Sequence, residues 1–314
     1  MRVIFLGTPE FAVPSLRALQ CSSYEIGAIV TQPDRPAGRG QKPGISAVKA
    51  YGLQAGIPVL QPEKIRGIEN RAMLESFQPD FIVVVAYGQI LPAWLLQLPR
   101  CGCVNVHGSL LPRYRGAAPV AWAVLNGDTV TGITTMLMDE HLDTGPMLLQ
   151  RECEISETMT TGELSAGMAE VGAELLIQSL DGIQSGAVQP VPQDNTLASY
   201  APRITKDMSP IRWDRGAKEI HNQIRGLNPW PIAGTECRDL RLQILKSAPV
   251  DPFLRVPELP GVFLGASERG MRIACGDGTV LEVLEVQPEA KKRITGREFA
   301  NGQRLKYGER LFSS

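Results

Sequence analysis

Apolar positions along the first part of the chain gather in short runs separated by amphipathic stretches. RVIFLG (2–7), YEIGAIV (24–30), PVL (58–60) and DFIVVVA (80–86) read as strands, with helices up to about Leu19, over 45–55 and around 64–76. Thr8-Pro9 is expected to cap and start the first helix. DFIVVVA is the most apolar of the runs, as suits a strand of a parallel sheet covered on both faces. Beyond it, 101–107 alternates, AAPVAWAVLNG (117–127) reads as a helix ending at Asn126-Gly127, and TGITTMLMD (131–139) and PMLLQRECEI (146–155) read as strands. A long helix over 160–184 follows. Strands alternating with helices predict a Rossmann-like α/β domain with a mostly parallel sheet over residues 1–189. The three-glycine dinucleotide fingerprint is missing, because GTPEFAVP holds one glycine, and a nicotinamide dehydrogenase is set aside on that ground.

The period then changes. Residues 186–210 carry four prolines and few apolar clusters, and 190–208 is read as a linker. After a helix near 216–226 and a turn at NPWP (228–231), alternating segments recur at ECRDLRLQILKS, GVFLG, GMRIACG and TVLEVLEVQP. Several short strands with glycine turns predict a small β-barrel over 209–314. Trp230 between two prolines is read as packing.

A length of 314 residues fits two domains, each with its own core, and 43% hydrophobic with 21% charged residues fits a soluble globular protein. No apolar run reaches the ~18 residues of a membrane helix, and the apolar start is too short for a signal peptide. Six cysteines without paired spacing suggest reduced thiols and a cytoplasmic setting. The net charge of −1 is uneven: 13 Lys/Arg against 18 Asp/Glu through residue 190, a net −5, and 19 against 15 afterwards, a net +4. A basic final third is a modest sign of a polyanionic partner. The stretch TQPDRPAGRGQKPG (31–44) has no helical or strand pattern and carries Arg35, Arg39 and Lys42 against a single acid, Asp34. It reads either as a solvated excursion or as a cationic lid that meets phosphate.

Candidate chemistry concentrates in CGCVNVHGSLLPRYRGAAP (101–119). Cys101, Cys103, Asn105 and His107 fall on one side of a period-2 segment, which places Asn105 and His107 together near the C-terminal end of a strand. Ligands bind at that end of open α/β sheets. An amide donor beside an imidazole can stabilise a developing oxyanion and move a proton. Asp143, in LDTGP (142–146), offers a carboxylate that could orient His107 and raise its basicity. An isolated N-x-H more often just satisfies a strand end; the weight comes from Asp143. No second cysteine cluster supports a metal site, so none is expected.

SLLPRYRGAAP after N-V-H, with LDTGP downstream, closely resembles the folate-dependent formyltransferases, and the resemblance runs through the linker to QPEAKKRITGREF. It implies a catalytic Asn105, His107 and Asp143. It further implies 10-formyltetrahydrofolate as the formyl donor, with the folate held by Tyr87, Gly88, Gln89, Ile90 and Leu91 and by Ser109, Leu110, Leu111 and Pro112. On their residues alone, 87–91 would be ordinary turn positions. The barrel is implied to be OB-like. The acceptor is implied to be methionyl initiator tRNA, met by Arg35, Arg39 and Lys42 and by Lys291, Lys292 and Arg293; a monomer is expected, although nothing in the residues bears on oligomeric state. Ala290 stands where the family pattern leads one to expect glycine.

Formyl transfer to glycinamide ribonucleotide or an amino-sugar nucleotide would use the same catalytic residues; the basic loop and the barrel favour a large polyanion. A non-catalytic RNA-binding module would be marked by loss of Asn105, His107 or Asp143, and all three are present. An aspartic protease fails because Asp143-Thr144-Gly145 has no second copy.

Overall fold

The computed structural model describes every residue except 38–41, 239, 252, 313 and 314, and omits the side chains of 36, 37, 42 and 43. In chain order the elements are β1 (Arg2–Gly7), α1 (Val13–Gln20), β2 (Glu25–Val30), β3 (Arg35–Ala37), β4 (Lys42–Gly44), α2 (Ala47–Gln54), β5 (Val59–Leu60), α3 (Glu69–Glu75), β6 (Phe81–Val85), α4 (Ala93–Leu96) and β7 (Cys103–His107). Then come β8 (Arg115–Gly116), α5 (Pro119–Leu125), β9 (Val130–Leu137), β10 (Met147–Glu154), α6 (Thr161–Ser185) and β11 (Tyr200–Ala201). The remainder is α7 (Ala217–Gly226), β12 (Gly234–Cys237), β13 (Leu240–Pro249), β14 (Phe263–Ala266), β15 (Met271–Ala274), β16 (Val280–Pro288), β17 (Ile294–Thr295) and α8 (Gly296–Gly302).

Contacts group these into two compact units. The first holds residues 1–119, 131–154 and 165–201; the second holds 120–130, 155–164 and 202–314, thus drawing two segments from inside the range 1–189. Within the first unit, a seven-stranded sheet runs β10-β9-β7-β6-β1-β2-β5. The pairs from β7 through β6, β1 and β2 to β5 are parallel, and β7 meets β9 antiparallel. β1, β6 and β7 are buried almost throughout, the burial that the apolar runs of β1 and β6 demand. One face packs Ile4, Leu6, Val30, Ile82, Val84 and Cys103 against Ile65, Leu74, Tyr87, Leu91 and Leu95. α6 covers the other face, where Gly172 lets the helix lie directly on Val106 and Ile133.

Three expectations need correction. Thr8 does not cap a helix: α1 begins at Val13 without a side-chain cap, and Thr8 Oγ1 instead donates to the Tyr87 carbonyl at 3.2 Å. The stretch 31–44 is not devoid of strand, since β3 and β4 form an antiparallel hairpin with Pro36 opposite Pro43. Prolines are tolerated on such an edge but erase the alternation that would reveal it. ECRDLRLQILKS is two strands rather than one, β12 and β13 paired across a turn at Arg238, whose φ is +47°.

The second unit is built on the antiparallel sheet β12-β13-β16-β15-β14, with β17 added to β16. Trp213 is fully buried, stacks on Phe312 with ring centroids 4.6 Å apart, and donates from Nε1 to Thr235 Oγ1 at 3.1 Å. α7 buries polar side chains as well as Ile220 and Ile224. His221 meets Ser247 Oγ at 3.0 Å and the Glu157 carbonyl at 2.8 Å. Arg225 donates to Asn222 and to the carbonyls of Ser156 and Met159. Among the described residues, no helix is long and apolar enough to cross a membrane.

Burial pushes the His221 imidazole below the ordinary histidine range, an effect the Glu157 carbonyl opposes and Arg225 reinforces. The unfolded chain therefore takes up this proton at a higher pH (~6.5) than the folded chain does, and stability falls as the pH drops below that value. Thermal melts from pH ~7.5 to ~5.5 should show a declining midpoint, and His221→Gln should flatten the decline. Ala290 adopts φ +58° in the turn after β16, a left-handed conformation that glycine enters without the Cβ clash. Ala290→Gly should stabilise the fold by about 0.5–1 kcal/mol, read as a raised denaturation midpoint.

Candidate active site

β7 runs between β6 and β9, with Asn105 opposite Val84 on one side and Met136 on the other, and His107 opposite Thr134. Because Val106 faces α6, strand alternation sends Cys103, Asn105 and His107 to the opposite face. Cys103 serves packing there: its Sγ lies 3.6 and 3.7 Å from the carbonyls of Leu95 and Leu96, and burial pushes its thiol up to about 12. Among the described residues, no group of three or more His, Cys, Asp or Glu side chains is placed to hold a metal ion.

His107 is 5% exposed, and its Nε2 lies 3.0 Å from the Tyr114 carbonyl. A carbonyl only accepts, so Nε2 carries the proton of that bond and Nδ1 is the nitrogen left for exchange. Nδ1 stands 3.7 Å from Asp143 Oδ1, too far for a hydrogen bond but within ion-pair range whenever the ring is protonated. The ring is thus oriented directly by the Tyr114 main chain rather than by the carboxylate. Asp143 is fixed in turn by the Gly116 N–H, which donates to Oδ2 at 2.8 Å. Gly116 has φ +118°, and a Cβ there would meet the Ala201 carbonyl oxygen at 2.8 Å. Asn105 is 8% exposed, and its carboxamide makes no hydrogen bond among the described residues. The site therefore places together an uncommitted amide donor, an imidazole and a carboxylate.

The two stretches expected to hold the folate follow β6 and β7, which are parallel neighbours, so both leave the same edge of the sheet. Residues 109–112 are laced to β9 and β10. Thr134 Oγ1 donates to the Ser109 carbonyl and accepts from the Leu111 N–H, while Gln150 Nε2 donates to the Leu111 carbonyl at 2.9 Å. Ser109 Oγ donates to the Arg113 carbonyl at 2.6 Å, and Leu111 is buried, with Leu110 and Pro112 partly so. In the other turn, the Tyr87 carbonyl accepts from Thr8 and from Gln32, and Gln89 bonds to the main chain at Ile65 and Glu63. Tyr87 and Leu91 belong to the core, whereas Ile90 is 82% exposed. Gly88 has no atom closer than 3.8 Å to where a Cβ would stand. The Tyr87 hydroxyl and Trp94 Nε1 are buried without a hydrogen-bond partner among the described residues, and burial pushes the Tyr87 phenol up to about 12.

Of the cations, Arg35 is exposed at the start of β3. Arg39 lies outside the described residues, and Lys42 is described in its backbone alone, within β4. Asp34 is engaged by Lys49 Nζ at 2.5 Å and Gln61 Nε2 at 2.9 Å. Lys291, Lys292 and Arg293 are exposed in the second unit, where Arg293 stands 3.8 Å from Glu285. Sequence reasoning did not single out Tyr114 and Gly116, because each meets the site through a main-chain group that every residue but proline carries.

Residues 1–180 match the formyl transferase family and residues 203–304 match the formyl transferase C-terminal domain. The chain is 47% identical over 312 residues to the methionyl-tRNA formyltransferase of Acidobacterium capsulatum, covering 99% of each. It is 44% identical over 311 residues to that of Acetivibrio thermocellus, again covering 99% of each. Among solved structures, it resembles WlaRD, a sugar 3N-formyl transferase seen in the presence of dTDP and 5-N-formyl-THF (TM-score 0.67, 21% identity, 93% of this chain and 99% of that one). It also resembles HypX from Aquifex aeolicus in complex with tetrahydrofolic acid (TM-score 0.62, 15% identity, 96% of this chain and 47% of that one). The chain belongs to the formyl transferase family.

Proposed function

We propose that this enzyme transfers a formyl group from 10-formyltetrahydrofolate to the free amino group of methionyl initiator tRNA, for translation initiation. The observation that carries the chemistry is the uncommitted carboxamide of Asn105 beside the His107–Asp143 pair at the end of β7. The acceptor rests on full-length identity of 43–47% to proteins named for that reaction. The amino-sugar alternative rests on likeness of fold at 20–21% identity, and no feature of the site favours it.

The folate is assigned to the edge formed by residues 87–91 and 109–112. The buried, unpartnered Tyr87 hydroxyl, the open Gly88 and the exposed Ile90 suit a flat ligand with both polar and apolar edges. Bound there, the donor supplies an amide-like formyl carbon open to attack by a neutral amine. Asn105 donates a hydrogen bond to the formyl oxygen as negative charge develops on it. His107, through Nδ1, exchanges a proton with the reacting groups, and Asp143 stabilises the ring when it is charged. An α-amino group titrates near pH ~8, so a modest base suffices to take its proton. The antiparallel sheet of the second unit is read as an OB-like module, with 209–314 supplying affinity for the tRNA. Lys291, Lys292 and Arg293 there, with Arg35, Arg39 and Lys42 in the first unit, are assigned to its phosphates.

The deciding experiment is labelled formyl transfer to methionyl initiator tRNA, with glycinamide ribonucleotide and an amino-sugar nucleotide as competing acceptors; preference for either small acceptor would overturn the assignment. In the same assay His107→Ala should lower turnover roughly 10²–10⁴-fold with tRNA binding little changed. Asn105→Ala should cost on the order of 10²–10³-fold, as expected when an oxyanion donor is removed. Replacing Lys291 and Lys292 together by Ala should weaken tRNA binding and flatten its salt dependence by about one unit of slope for each phosphate left without its cation. An unchanged slope would remove these lysines from the interface.

A further inference from the structure

The stretch following β10 and α6 that reads as a linker is, from 191 to 201, bound closely to the catalytic loops. Val191 exchanges two main-chain hydrogen bonds of 2.8 Å with Met147, just past Pro146. Ser199 accepts the Tyr114 N–H on its hydroxyl at 2.9 Å and the Arg115 N–H on its carbonyl at 2.8 Å. β11 pairs with β8, and the Ala201 carbonyl accepts from Ala118. One end of this segment is therefore fastened at the start of β10, shortly after Asp143, and the other beside Tyr114 and Gly116, which meet His107 and Asp143.

Between those ends, Gln193 bridges the two catalytic loops by itself. Its Oε1 accepts from Arg115 Nε at 3.1 Å and Nη2 at 2.7 Å. Its Nε2 donates to the carbonyls of Asp143 at 2.9 Å and Gly145 at 2.8 Å. Arg115 is 2% exposed, and its Nη2 also reaches Asn195 at 2.8 Å. A guanidinium only donates and a carbonyl only accepts, so the orientation of the Gln193 amide is fixed at both ends. Arg115 itself lies between the two residues whose main chain meets the site, Tyr114 toward His107 and Gly116 toward Asp143. The aspartate has φ +54°, a conformation that its own backbone does not favour and that its surroundings must hold.

We propose that residues 191–201 form a strap and that Gln193 is a positioning residue, which sets the Asp143 carboxylate at its working distance from His107. The reading rests on the formyl-transfer assignment for its catalytic consequence, but not for its structural one. Glu is nearly isosteric with Gln: Gln193→Glu keeps an acceptor for Arg115, yet it turns a carboxylate oxygen toward two carbonyl oxygens and lets the Asp143 loop go.

The test combines steady-state kinetics, thermal melts and amide hydrogen exchange on the full chain. For Gln193→Glu, kcat should fall on the order of 10-fold to 10²-fold, as a small misplacement of a catalytic group does, while KM for the folate and for the tRNA stays near the wild-type value. Exchange of the Gly116 amide, the donor to Asp143 Oδ2, should quicken at least ~10-fold while exchange in the β1, β2 and β6 amides does not. Gln193→Met, which is neutral and similar in shape but can make neither set of bonds, should move both readouts in the same direction and guards against a fault peculiar to the added charge. Wild-type kcat in both variants, a rise in KM without a fall in kcat, or unchanged Gly116 exchange would each overturn the proposal. A fall in melting temperature with uniformly faster exchange would show a merely structural role and overturn it as well. If the wild-type chain forms no formyl-methionyl-tRNA, the functional assignment falls, and the exchange measurement still decides the strap.

Discussion

The structure of the first unit turns on one requirement: an imidazole sunk to 5% exposure at the end of a fully buried strand must find an acceptor for its N–H. The chain meets it by leaving β7, looping outward and returning so that the Tyr114 carbonyl stands 3.0 Å from His107. The return needs left-handed backbone at Tyr114, φ +59°, and again at Gly116, φ +118°. It leaves the Gly116 N–H pointing at Asp143. The orientation of the imidazole, the anchoring of the carboxylate and the close approach to Ala201 thus follow from the same few residues. Gly145 completes the arrangement on the opposite loop, where it lies so close against the Leu137 carbonyl that no side chain would fit.

The sequence discloses the parts of this arrangement that depend on side-chain type and period. β6 shows as an unbroken apolar run, and β7 shows by the alternation that sets Asn105 and His107 on one face. Asp143 is visible because it offers a carboxylate to pair with the imidazole already singled out on β7. The Tyr114 carbonyl and Gly116 N–H are not legible in this way, since every residue but proline carries both groups. Thr8 is open to misreading for a related reason. A hydroxyl before a proline serves equally well as a helix cap or as a donor to a neighbouring loop, and only the three-dimensional path to Tyr87 decides between them.

The stretch after residue 190 shows how composition can mislead. Prolines with few apolar residues describe a flexible connector, but they also describe a segment held by polar bonds alone. Val191, Gln193, Ser199 and Ala201 attach through hydrogen bonds, three of them by main chain at least in part, and so leave no hydrophobic period to find. The hairpin of β3 and β4 escapes notice in the same manner, because Pro36 faces Pro43 and neither strand exceeds three residues. Its one acid, Asp34, pairs with Lys49 and thereby leaves Arg35, among the described residues, as uncompensated charge at the root of the hairpin.

The second unit draws on segments far apart in the chain. The buried face of α7 is closed by Leu125 against Gly226, by the Glu157 carbonyl on His221, by Ser156 and Met159 on Arg225, and by Thr161 on the Gly226 carbonyl. Those partners are synthesised some 60 to 100 residues before α7 itself, in the middle of what looks like the other domain. In the native fold, 120–130 and 155–164 therefore depend on α7 to meet their polar and apolar groups. The first half of the protein thus carries pieces of the second unit, and a cut at the proline-rich stretch would part α7 from the carbonyls that His221 and Arg225 meet.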